Sequence, residues 1–167
     1  MEDRELVDRA RACARELVHV ARDGDTGRVY DTLRDITGPR HDDGTDTRMV
    51  VGQLVSASAQ MMLLRVDSPP DDVTYAVDLR DNEQFNVPID DLAPPLRATV
   101  RALLAELNGK PAEADFQIDL ALGEQSMRGK LDVVVHLLLW TIGLLEWCEA
   151  ADMPAPKWLT VGSRRNN

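Results

Sequence analysis

The sequence predicts an all-α fold: a compact, irregular bundle of roughly five to seven helices around a hydrophobic C-terminal helix. Three observations predict it. Between Val133 and Leu145, only His136, Thr141 and Gly143 interrupt a run of large apolar side chains. A surface helix carries polar residues around about half its circumference, so a helix this apolar must be wrapped by others, lie in a membrane or enter a partner. Apolar residues elsewhere recur at steps of three and four, the helical period. Aromatic residues are few, with two Phe, two Tyr and three Trp. Ala, Leu and Val must therefore fill the core, which favours close helix packing over a β-sandwich.

The first helix is expected over 2–22, where Leu6, Ala10, Cys13, Ala14, Leu17, Val18 and Ala21 share a face. Asp23-Gly24-Asp25 ends it. A short helix follows over 26–36, with Val29, Leu33 and Ile36 as its stripe and Tyr30 at the edge. Gly38-Pro39 breaks the chain and opens a polar, acidic loop, expected to be mobile. The third helix, 47–66, combines small residues, which let helices approach closely, with gap-filling Met61 and Met62.

Residues 68–89 admit two readings. Ser68-Pro69 followed by Asp71-Asp72 has the grammar of a helix start, which favours a helix over 69–81. Val73, Tyr75, Val77 and Leu79 also alternate, as do Phe85, Val87 and Ile89, which competes as a small hairpin at 73–89 turned at 81–84. Pro94 and Pro95 start a helix with Leu96, Val100, Leu103, Leu104 and Leu107 on its face. Asn108-Gly109-Lys110-Pro111 turns it into a partner helix over 112–122, with Ala114, Ile118, Leu122 and Phe116 expected inside. The pair faintly resembles one unit of a helical repeat, but no segment of matching length recurs. The last helix, 126–150, is capped by Ser126 and stopped by prolines beyond Met153. Residues 1–151 read as one domain and 152–167 as a tail, docked through Trp158 and disordered at its end.

Charge narrows the function. The 167 residues hold 29 Asp and Glu against 19 Lys and Arg, a formal net charge of −10. That argues against generic binding to nucleic acid or an anionic membrane, and leaves a basic protein partner open. The apolar run, bracketed by Asp132 and Glu146, is read as too short to span a bilayer. Met-Glu-Asp-Arg is the opposite of a secretory signal, and Cys13 and Cys148 fall in helical contexts. The expectation is a cytoplasmic protein with reduced thiols.

No motif for phosphate loops, zinc or a serine nucleophile is present. Two metal-binding alternatives survive the spacing test. Glu16 and His19 make one Glu-x-x-His pair, and Asp132 and His136 lie four apart on one face, so the four compose a carboxylate–histidine site of the helical-bundle type. The plainer reading has His136 as a core histidine paired with Asp132. Glu146, Glu149 and Asp152 form an acidic stripe that suits magnesium, or simply a wet helix edge. Either set would serve an enzyme, for example one hydrolysing phosphate esters or nucleotides. A third option is a small-molecule pocket lined by Met61, Met62 and Trp140.

The favoured reading is a non-enzymatic acidic helical protein without a cofactor. It would act through protein–protein interaction, in a regulatory or adaptor-like role, and form homodimers. Its expected protein-binding contacts are Arg40, His41, Asp42 and Asp43 in the acidic loop, and Trp158 in the tail.

Overall fold

A computed structural model describes residues 1–37, 45–66, 74–123 and 126–161. They form an all-helical bundle of α1 (Glu2–Arg22), α2 (Thr26–Thr37), α3 (Thr45–Leu63), α4 (Pro94–Leu107), α5 (Pro111–Leu122), α6 (Met127–Ala150) and α7 (Lys157–Thr160). A single 3₁₀ turn, Ile89–Asp91, precedes α4.

Local chemistry sets the helix ends. Gly24 follows α1 in the left-handed region at φ 76°, where a side chain is strained. Asp25 then accepts the Arg28 amide through Oδ1 at 3.1 Å and caps α2. Prolines occupy the first turns of α4 and α5, where no intrahelical donor is lost. Ser126 Oγ accepts the Gly129 amide at 3.2 Å and caps α6. Gly109, at φ 67°, makes the α4–α5 turn possible.

The core lies where α3 and α6 meet. Each of them touches all of α1, α2, α4 and α5, and α4 pairs most extensively with α5. Leu17, Leu54, Met61, Leu137 and Leu145 are fully buried there. At the α3–α6 crossing Ser58 Oγ lies 3.0 Å from Thr141 Oγ1, with both residues fully buried. Thr47 Oγ1 donates to the Ile36 carbonyl at 2.6 Å, which ties the start of α3 to the end of α2. Beyond α6, α7 packs on α1, with Leu159 fully buried and Arg11 over the Trp158 ring at 5.8 Å.

Four expectations need correction. Residues 74–81 are not helical. Arg80 and Asn86 form one antiparallel bridge, and the Val87 amide donates to the Leu79 carbonyl at 2.9 Å. Asp81 Oδ1 accepts the amides of Glu83 and Phe85, both at 2.9 Å, so its side chain builds the turn that a helix cannot contain. Asn108 fastens the leading strand by accepting the Tyr75 amide at 2.7 Å and donating to its carbonyl at 3.2 Å. The proposed helix start at Ser68 and the end of the tail, 162–167, lie outside the described residues.

The second correction concerns Phe116, which is 56% exposed on the outer face of α5. The third is His136, an exposed residue rather than a core one. The fourth is the central helix, which is not fully wrapped. Its buried face is Val133, Val134, Leu137, Leu138, Thr141, Leu145 and Cys148. Val135 is 39% and Leu139 62% exposed. The extended hairpin packs Val77 at the edge of the core, and among the described residues no helix covers Leu139.

Candidate functional site

The residues proposed as metal ligands do not assemble. Glu16 is exposed and 3.3 Å from Arg28. His19 is half-buried, with a buried Nε2 that has no hydrogen-bond partner among the described residues. The His136 Nδ1 donates to the Asp132 main-chain carbonyl at 2.7 Å, not to its carboxylate. A carbonyl only accepts, so Nδ1 carries a proton. The ring also meets Trp140 edge-on at 6.5 Å.

In the acidic stripe, Glu149 is held by Arg22 through contacts of 2.7 and 2.9 Å. That bond raises the guanidinium's proton affinity further, against the opposing effect of burial. Glu146 and Asp152 remain exposed. Among the described residues no group of three or more His, Cys, Asp and Glu is placed to hold a metal ion. Arg40, His41, Asp42 and Asp43 lie outside the described residues. Trp158 is half-buried on α1.

What the fold presents instead is the uncovered side of α6. Arg128, Asp132, Val135, Leu139, Gly143 and Glu146 follow one another at steps of three and four, with His136 beside Val135, and all are exposed. Val135 and Leu139 give this line an apolar centre, with charge towards both ends. A groove of about 270 Å³ runs along one flank, between α6 and α2, with Val29, Tyr30 and Ile142 in its walls. A second groove, of about 380 Å³, runs along the other flank. Met62, Val77, Leu79, Trp140 and Leu144 line it, and Arg65 and Arg80 stand within it. Of the pocket residues expected from sequence, Met62 and Trp140 line this groove, whereas Met61 is sealed in the core. Arg65 also lies over the Trp147 ring at 4.8 Å.

Sequence reasoning passed over this face because its polar positions looked like interruptions of an apolar run. The signal was partly present: of the three interruptions, His136 and Gly143 fall on this open side at helical spacing, whereas Thr141 is buried against Ser58. By length and composition α6 is apolar enough to cross a membrane, and 39% of its most apolar window is buried in the bundle. Five helices pack on its other face, and Asp132, His136 and Glu146 punctuate the open side.

Comparison with protein-family models, with curated proteins and with solved structures finds no match to this chain.

Proposed function

We propose that the chain works by binding protein, itself included, rather than by catalysis. One observation carries the reading. The most apolar helix of the chain leaves Val135 and Leu139 exposed between two grooves, and contiguous exposed apolar surface marks interaction sites. The dispersal of Glu16, His19, Asp132 and His136, and the engagement of Glu149 by Arg22, support the same reading. The net charge of −10 suits a basic partner and a regulatory or adaptor-like role in the cytoplasm. The contacts proposed for that partner are Arg40, His41, Asp42 and Asp43, with Trp158 as an aromatic anchor.

The test is a light-scattering mass over a concentration series, run beside metal analysis of the purified protein. A mass rising from 18.6 kDa towards twice that value, without stoichiometric metal, is the expected result. Stoichiometric metal with metal-dependent phosphatase activity would replace this reading with the enzymatic one.

The groove beside Met62 and Trp140 favours a second reading, the binding of an amphipathic small molecule. Its volume of about 380 Å³ is near the lower end of ligand sites, and Arg65 suits an anionic head group, while Arg80 is paired with Asp78 of the same groove. Titration with laurate, followed by tryptophan fluorescence, tests it. A saturable change that Trp140→Phe abolishes supports it, and a flat titration rejects it.

A further inference from the structure

We infer that the second copy of this chain docks through α6 itself, antiparallel, about a two-fold axis near residue 137. The inference rests on the self-association reading above and adds where and how the copies meet. Arg128 and Glu146 are eighteen positions apart on α6, five whole turns at 3.6 residues per turn, so both project along one line of the helix. Along the axis they are separated by about 27 Å. Their midpoint is residue 137, which is also the midpoint of exposed Val135 and Leu139.

A two-fold axis there superposes opposites. Val135 of one copy meets Leu139 of the other, and the reverse contact forms by symmetry. At each end Arg128 meets Glu146. Neither side chain makes a hydrogen bond or close ion pair among the described residues of its own chain, although Arg22 attracts Glu146 electrostatically. Asp132 comes beside Gly143, where nothing lies within 4 Å of the position a Cβ would take. No like charges are forced together, and the two helix dipoles run antiparallel. A parallel pairing would place Arg128 on Arg128 and Glu146 on Glu146. The charge order therefore selects both the occupant and its direction.

A single helix pair covers less than the roughly 800 Å² per partner of a standard interface. Association is accordingly expected in the range of about 1–100 µM. The experiment is sedimentation velocity across that range on the full chain and four variants, with far-ultraviolet circular dichroism as the folding control. Arg128→Glu and Glu146→Arg each place like charges at both ends of the seam. Each should weaken the dimer about tenfold at low salt. The double reversal restores opposite charges and should return affinity to within about threefold of the original. Leu139→Asp, at a position already exposed, should weaken the dimer about a hundredfold while leaving the helix content unchanged.

Loss on single reversal, rescue by the double and loss with Leu139→Asp together support the seam. A dimer insensitive to all four variants overturns it and moves self-association to another face, leaving the interaction reading in place. A mass of one chain at every concentration overturns both the seam and self-association.

Discussion

The Ser58–Thr141 contact makes the sharpest prediction about the core. The Thr141 hydroxyl donates to the Leu137 carbonyl at 2.7 Å. Its one proton is thereby committed, so across the 3.0 Å contact Ser58 must donate and Thr141 accept. The two substitutions are therefore unequal. Ser58→Ala removes a donor and leaves Thr141 bonded to its own helix; the expected cost is about 0.5–1.5 kcal/mol. Thr141→Val keeps the shape but strands a buried Ser58 hydroxyl, at about 1–3 kcal/mol. The double variant leaves neither hydroxyl and should cost less than the sum of the singles. Urea denaturation followed by circular dichroism measures all three. For a chain of this size, each kcal/mol corresponds to a melting shift of about 2–4 °C. Equal costs for the two singles, or strict additivity in the double, would refute the assigned donor and acceptor roles.

Three other outcomes follow from the same geometry. Asn108→Ala removes both bonds to Tyr75, so amide hydrogen exchange over 75–87 should rise while α4 and α5 stay protected; unchanged exchange there would contradict the anchoring role. Burial first, then Asp115, raises the Glu106 pKa in the folded chain, so the fold binds that proton more tightly than the unfolded chain does. Stability from this group is thus lost as pH rises past the ordinary carboxyl range. Glu106→Gln should raise the melting temperature at pH 7 and change it little below pH ~4; a uniform shift at both would contradict the assignment. Burial likewise pushes the Cys148 thiol up, so native alkylation with iodoacetamide should modify half-buried Cys13 first, as read by peptide mass mapping.

Much of the fold could be read from spacing alone. The bounds of α1 coincide with the predicted 2–22, and prolines and glycines marked the ends of α4, α5 and α6 because their backbone limits act locally. The 74–87 segment was harder, because helix and hairpin patterns coexist in it. The deciding contacts are the Asp81 turn and the bonds from Asn108, and the latter are remote in sequence. Phe116 was placed inside on apolarity, but α5 turns the Phe116–Leu120 side away from α4. The candidate surface was the least legible part. An apolar run suggests burial, but whether it is achieved depends on how many neighbouring elements reach the helix. Here the hairpin flanks α6 without roofing it.

The central claim is that α6 has one face for the core and one for another protein. Hydroxyl-radical labelling read by mass spectrometry tests it most directly, across protein concentrations from below to above the expected dissociation constant. Leu139 labelling should fall as concentration rises, while exposed Phe85 and Phe116 stay equally reactive. Leu139 labelled equally at every concentration, or Phe116 protected in its place, would contradict the account.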